Sequence, residues 1–200
     1  MKKILILLAS LAIYSQINGN ENIKNFSQLF DTYSIKISPN GQMIGVLREI
    51  NDERMLSIIN IDTKELIFNH KYIKKGEIGG FEWLSDERLL MSKVTSLSFS
   101  NSRFPTGELY AVNIDGKKEI ILTGRQAKRS TDTVKDDPKK PATLIDILPD
   151  EPDKIIVQFF SSDEFWRLYK VDIFDGEMER YAVPPVKQPY YQFDANGQLI

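Results

Sequence analysis

The sequence predicts an all-β chain: a partial β-propeller of about three four-stranded antiparallel blades and the start of a fourth. A turn-containing unit recurs along the 200 residues, apolar and polar residues alternate within it, and Asp, Asn and Gly stand where hairpins would close. Alternation is typical of a strand with one buried face, and these turn residues suit hairpins. Four such strands in each 40–50 residues are typical of a propeller blade.

Four short turns set the register of the repeat. Their second positions, Pro39, Ser85, Pro149 and Ala195, are 46, 64 and 46 residues apart. Apolar residues stand four and two positions before each of these points, and a second apolar strand follows each turn. We therefore expect a half-buried strand on both sides of every turn. The preceding apolar pairs are Ile35 and Ile37, Phe81 and Trp83, Ile145 and Ile147, and Tyr191 and Phe193.

A second landmark recurs inside each of the first three units. Residues 56–61, 109–114 and 168–173 align position by position, and each segment leads into an Asp-containing turn and a last strand. The longer middle spacing comes from two insertions between strands, within the Ser-rich residues 95–106 and the polar residues 125–140. Loops accept such extra length at little cost.

The first residues have the layout of an export signal. Lys2 and Lys3 precede an apolar run over residues 4–14, and a polar stretch leads to Gly19. The run is shorter than the roughly 20 residues that span a bilayer, and the alternative is the start of a buried strand or helix. We expect cleavage after Gly19, a periplasmic or secreted protein, and no membrane association afterwards.

The predicted organisation is a signal peptide (1–19), a lead-in (20–33, with one helical turn near 25–30) and an incomplete propeller (34–200). The propeller units are predicted at about 34–76, 77–142, 143–189 and 190–200.

Composition excludes several classes of function. The 26 basic and 28 acidic side chains nearly cancel, which argues against a nucleic-acid binder driven by net charge. There is no cysteine, so disulfides, thiolate metal sites and cysteine nucleophiles are excluded. The one histidine, His70, cannot build a multi-histidine metal centre. We expect no metal and no cofactor.

A few residues could carry function, and each has a structural alternative. We expect His70 to be a surface or capping histidine and Trp83 to pack in the core. Tyr190 and Tyr191 could line a ligand surface, although Tyr191 matches a core position. The polar run at 125–140 could bind a nucleic acid or another acidic partner, but it has no aromatic residue to stack on bases and contains three Asp, so a solvated loop is favoured.

Several of these segments together resemble exported peptidases of the prolyl oligopeptidase family, which include bacterial dipeptidyl and acylaminoacyl peptidases. The resemblance covers most of residues 22–200. It implies a signal peptide, a lead-in and a propeller, followed by an α/β-hydrolase domain. Similar turns occur in other propellers, including TolB-like binding modules. The resembling segments are 26–30, 33–41, 81–90 and 107–113.

The resemblance implies that this chain is the N-terminal propeller region of a serine peptidase, where it would admit short peptides and exclude folded proteins. Its partners would be peptide substrates and the α/β-hydrolase domain missing from this chain. The family's Gly-x-Ser-x-Gly elbow does not occur here, so no catalytic residue is carried over and the substrate-binding residues are unknown. Asp163 and Glu164 resemble the acidic residues with which some dipeptidyl peptidases hold a substrate amine, without the surrounding motif. The alternative is a non-catalytic periplasmic TolB-like propeller that binds a protein partner or a ligand.

Two expectations concern the chain by itself. Without a serine elbow, a cysteine or a metal cluster, we expect it to be catalytically inert. Because the sequence stops at Leu199 and Ile200, inside the second strand of a unit, we expect an incomplete hairpin and poor stability.

Overall fold

A computed structural model of the chain describes residues 32–51, 53–72, 76–96, 102–125, 127, 141–160, 165–182 and 191–194. These belong to the second of the two units into which the chain divides, Thr32–Ile200. Within these ranges the chain forms twelve β-strands and no helix, so no described helix is long and apolar enough to cross a membrane. The predicted all-β class is confirmed.

The strands form three four-stranded sheets, each an antiparallel meander in chain order. This confirms the predicted series of four-stranded blades. Of the fourth unit, only residues 191–194 are described, with Phe193 in an isolated bridge. The first sheet contains β1 (Thr32–Ile37), β2 (Met43–Ile50), β3 (Glu53–Asn60) and β4 (Leu66–His70); the second contains β5 (Glu77–Trp83), β6 (Arg88–Ser96), β7 (Arg103–Asn113) and β8 (Ile120–Thr123); the third contains β9 (Ala142–Ile147), β10 (Lys154–Phe160), β11 (Trp166–Asp172) and β12 (Met178–Ala182).

The recurring turns join the first two strands of each sheet. In the first turn Gly41 has a φ of 77°, a left-handed conformation that glycine adopts without a steric penalty. The side chain of Asn40 accepts hydrogen bonds from Ser38 Oγ and from the backbone N–H of Gln42. The backbone N–H of Asn40 also donates to Asp86 Oδ1 of the second turn, at 2.8 Å. The first two turns are thus tied together at one end of their sheets.

The sheets pack face to face in chain order, and the alternation within each strand decides which side chains meet. Each interface is a separate cluster of side chains that are nearly inaccessible to solvent. The first joins Leu47, Leu56 and Ile58 to the second sheet's Ile78, Phe81, Trp83, Leu89, Met91, Tyr110 and Val112. The second joins Leu90, Leu109, Ala111 and Leu122 to the third sheet's Ala142, Ile155, Val157, Phe159, Tyr169, Val171 and Met178. The third joins Leu148, Ile156 and Leu168 to the partly buried Ile145, Tyr181, Tyr191 and Phe193.

The first strand departs from the predicted burial. Ile35 and Ile37 should be half-buried by analogy with Phe81 and Trp83, but they are 59 % and 60 % exposed. The analogous pairs of the second and fourth units pack on the sheet that precedes them in the chain. No described strand precedes the first sheet, and no described sheet packs on the outer face of β1.

The insertion at residues 95–106 also differs from the predicted loop. Most of its described residues extend a hairpin, in which Val94, Thr95 and Ser96 pair with Pro105, Phe104 and Arg103. The arginine at the start of β7 contacts carboxylates of both the first and second sheets, and this contact holds the longer hairpin in place.

Several predicted features lie outside the described residues. These are the signal peptide (1–19), nearly all of the lead-in (20–33), most of the polar insertion (125–140), and residues 195–200. The boundaries between the predicted units remain predictions from the sequence.

Candidate functional site

A cavity of about 450 Å³ lies between the second and third sheets. This volume falls within the range of roughly 300–1,000 Å³ that is usual for small-molecule and cofactor pockets. The wall is formed by strands β5, β6, β7 and β9. The lining residues are Gly80, Phe81, Glu82, Leu90, Ser92, Lys93, Pro105, Gly107, Leu109, Ala142, Thr143 and Leu144.

The cavity exists because the third sheet covers only part of the second. Beside β9, Pro141 packs directly on Gly107 of β7, where an added Cβ would lie 2.4 Å from the proline Cβ. That close approach needs a glycine, and Gly107 also has a φ of 70°. Over β5 and β6 the second sheet is left open, and this open part is the floor of the cavity.

Two sheet edges border the cavity. Strand β5 lies at one edge of the second sheet and is hydrogen-bonded to β6, and strand β9 lies at one edge of the third sheet and is hydrogen-bonded to β10. An edge strand presents backbone N–H and C=O groups that its own sheet does not pair. The cavity therefore combines apolar side chains with strand edges.

The floor contains a glycine that packing within the chain does not require. An added Cβ on Gly79 would lie 2.5 Å from Val94, whereas at Gly80 the nearest atom would be Ser92 Oγ at 3.5 Å. The backbone of Gly80 does not have a positive φ either. The absent side chain keeps this part of the cavity open.

Polar groups are few in the described wall. Ser92 Oγ lies 3.4 Å from the carbonyl oxygen of Gly80. The carboxylate of Glu82 forms an ion pair with Lys36 of β1, and both side chains are about two-fifths exposed. Because the two charges compensate, the cavity has an apolar floor and a neutral polar margin.

A buried ion pair joins two strands of the second sheet. Lys93 Nζ is 3.4 Å from Glu108 Oε1, with both side chains more than nine-tenths buried. The ammonium group lies over the ring of Tyr72 at 4.4 Å, on the side of the first sheet. Burial raises the pKa of the Glu108 carboxyl. Lys93 also contributes to the lining of the cavity, so the one charged side chain of β6 in the wall is held by a buried carboxylate.

An ionic cluster joins the first and second sheets at the other end of the strands. Arg103 bridges Glu49 at 3.0 Å and Glu77 at 2.9 Å, and the hydroxyl of Tyr33 donates to Glu49 at 2.6 Å. Arg54 stacks on Tyr33 with its guanidinium carbon 3.9 Å from the ring centroid. The hydrogen bond from Tyr33, with Arg103 nearby, lowers the pKa of Glu49.

The histidine is buried, which corrects the expected surface position, and its ring hydrogen-bonds a backbone carbonyl just after β7, which agrees with the capping alternative. His70 is 4 % exposed, and its Nε2 lies 3.1 Å from the carbonyl oxygen of Ile114. A carbonyl only accepts, so Nε2 carries the proton and donates. Burial lowers the pKa of His70. Sequence alone could not reveal this, because the partner lies in the next sheet.

The other candidates from the sequence are placed away from the cavity or lie outside the described residues. Trp83 packs in the core as expected, and its Nε1 donates to the carbonyl of Lys36 at 3.1 Å. Tyr191 packs on the third sheet, and its hydroxyl donates to the carbonyl of Trp166. Tyr190, Asp163 and Glu164 lie outside the described residues.

No sequence motif pointed to the cavity. One signal was available in the sequence: Gly79 and Gly80 stand together just before Phe81, in the segment that forms β5. Glycine weakens a strand interior and often marks a close approach by another backbone or a ligand. In the part of the chain that the structure describes, no group of three His, Asp or Glu residues could hold a metal.

No protein-family model and no curated protein matches the chain. Among solved structures, a protein described as a conserved lipoprotein from Clostridium novyi NT is 14 % identical, with a TM-score of 0.45, over 74 % of this chain and 90 % of its own. TolB from Acinetobacter baumannii is 14 % identical, with a TM-score of 0.35, over 84 % of this chain and 47 % of its own. This chain thus spans about half the length of TolB. These likenesses identify no family, and the resemblance to prolyl oligopeptidase family peptidases remains a prediction from the sequence.

Proposed function

We propose that this chain is the N-terminal propeller segment of an exported serine peptidase of the prolyl oligopeptidase family, and that it controls the access of peptides to an α/β-hydrolase domain. One observation carries the proposal: the segments that resemble the family occupy corresponding places in successive sheets. Residues 33–41 form β1 and its turn, and residues 81–90 form the end of β5, its turn and the start of β6. The resemblance therefore follows the repeat of the fold.

The residues of this chain support a role in binding rather than in bond cleavage. A serine nucleophile needs a base that can take its proton. The one histidine of the chain is buried, and its Nε2 is bonded to the carbonyl of Ile114. Its lowered pKa comes mainly from burial, not from a catalytic partner. The catalytic groups would belong to the hydrolase domain.

A second function is favoured by a different feature, the uncovered face of the first sheet. Ile35, Ile37 and Leu66 are all more than half exposed. Exposed apolar patches mark surfaces that bind other proteins. A non-catalytic TolB-like propeller that binds a protein partner would use such a face.

A chemical probe separates the two functions in the native protein. An antibody raised against residues 32–200 would recover the protein from cells that make it, and the recovered material would be treated with a fluorophosphonate that labels active serine hydrolases. The peptidase proposal expects the label on the recovered polypeptide or on one bound to it. A recovered protein that never takes the label, encoded by a reading frame without a serine elbow, would favour the binding module.

A further inference from the structure

We propose that the cavity between the second and third sheets binds an extended peptide, which adds a strand to the edge of β9 that no described strand pairs with and lies over β5 and β6. The inference rests on the proposed function only in taking a peptide as the ligand. The site itself is argued from the strand edge, the open floor and the distribution of charge.

The strand edge supplies the partner for the peptide backbone. Ala142, Thr143 and Leu144 of β9 line the cavity, and the hydrogen-bonded neighbour of β9 in its sheet is β10, on the other side. A peptide that pairs with an edge strand gains main-chain hydrogen bonds irrespective of its sequence. The cavity lies where this fifth strand of the third sheet would run.

The floor provides the room that such a strand needs. Successive sheets pack about 10 Å apart, and β9 already approaches the second sheet closely where Pro141 touches Gly107. Beyond this contact, Gly80 leaves the floor open although neither its backbone nor its neighbours require a glycine. A peptide backbone lying over Gly80 accounts for the missing side chain.

The walls determine which peptides bind. Leu90, Leu109 and Leu144 are apolar, and the charge of Glu82 is compensated by Lys36. Lys93, which also lines the cavity, has its ammonium group paired with Glu108 and placed over the ring of Tyr72. The charged side chains of the described wall are thus already paired, and a further, isolated charge would be costly to bury. The site therefore selects uncharged peptides whose inward side chains are apolar.

Photo-crosslinking to the purified chain tests the site directly. The probe is a pool of N-acetylated, C-amidated octapeptides of random uncharged sequence with a central benzophenone-alanine. Irradiation and mass spectrometry then locate the attachment points. We expect attachment within residues 80–82, 90–92 and 142–144. Attachment only elsewhere, or none at all, would overturn the proposal.

Two comparisons separate strand addition from adhesion of side chains. A pool that is N-methylated at alternate backbone nitrogens cannot donate to β9, and we expect it to attach at least about tenfold less, a loss of about 1.4 kcal/mol. Equal attachment would refute strand addition without involving any variant of the protein. Gly80→Val fills the floor and is expected to reduce attachment by a similar factor. Thr32→Val, on the exposed end of β1, serves as the matched control and leaves attachment unchanged.

The outcomes also separate this inference from the proposed function. Attachment at β9 in a protein that never takes the fluorophosphonate label would leave the peptide site intact and remove the peptidase role. A protein that takes the label but shows no peptide attachment at β9 would leave the peptidase role intact and remove the peptide site.

Discussion

Arg88 offers the sharpest test of how the second and third sheets are held together. It is 2 % exposed, and its guanidinium donates from Nε and Nη2 to the carbonyl of Ile173 and from Nη1 to Asn113 Oδ1 and the carbonyl of Lys118. The Ile173 contact spans the two sheets. The guanidinium also lies 4.5 Å from the ring centroid of Phe174. Replacing Arg88 with methionine removes all of these donors and keeps an apolar stem of similar length.

The expected cost follows from the three acceptors left without a donor. An unpaired buried acceptor costs about 1–3 kcal/mol; the carbonyl of Ile173, which loses two donors in a buried contact, accounts for most of the loss, and the partly buried acceptors at Asn113 and Lys118 add less because water can reach them. The buried methionine and the avoided desolvation of a charge recover part of this. We therefore expect Arg88→Met to lower the free energy of unfolding by about 3 kcal/mol. For a chain of this size each kcal/mol lowers Tm by about 2–4 °C, which corresponds to about 6–12 °C.

Thermal and urea unfolding of the purified chain would measure this loss, with Arg180→Met on the exposed side of β12 as the control. Arg88→Lys keeps the charge but cannot reach three separate acceptors at once, so it should lose most of the same stability. Hydrogen exchange should increase in β11 and the turn after it more than in β2 and β3. If Arg88→Met were as stable as the parent chain, the cost of burying the guanidinium would equal the value of its hydrogen bonds, and our reasoning would be wrong.

Three further predictions use other parts of the fold. Glu49→Gln should lower the free energy of unfolding at pH 7, because the lowered pKa of Glu49 stabilises the fold only while its carboxyl is ionised. The difference in stability between variant and parent chain should disappear as pH falls below 4.5, and urea unfolding at pH 7 and below pH 4.5 measures it. Gly45→Ala should destabilise the chain by about 1–3 kcal/mol, because the added Cβ would lie 2.6 Å from a ring carbon of Phe81 in the second sheet. Gly80→Ala, in contrast, should be neutral or stabilising by up to about 1 kcal/mol. Equal losses of stability in thermal melts of the two variants would contradict this. Ile35→Lys with Ile37→Lys should reduce binding of a hydrophobic dye and change stability by less than about 0.5 kcal/mol; unchanged dye fluorescence would show that another surface binds the dye.

Much of the fold could be predicted because a strand records its burial in alternate residues. The repeated turns and the aligned segments at 56–61, 109–114 and 168–173 fall in the structure as expected, with each segment in the third strand of its sheet or at the end of that strand. Phe81 and Trp83 are buried as their alternation predicts. The same reasoning failed at Ile35 and Ile37, because alternation shows which face of a strand is apolar and not whether another sheet covers that face.

The candidate site was much less predictable. The cavity joins residues from four strands of two sheets, and the doublet Gly79 and Gly80 was its one sign in the sequence. In a glycine doublet, the sequence cannot distinguish a residue needed for packing from one that leaves space. Only the positions of Val94 and Ser92 separate the two cases.

The sequence by itself determined the local structure: which residues form strands, where the hairpins turn, and that one histidine and no cysteine are available for chemistry. Each of these depends on near neighbours in the chain. The tertiary structure decided what lies opposite each strand. It placed the carbonyl of Ile114 beside His70, the carbonyl of Ile173 beside Arg88, and an open space above Gly80. Residues 85 positions apart in the chain meet only when whole sheets stack, and the partner of a buried polar group is therefore a property of that packing.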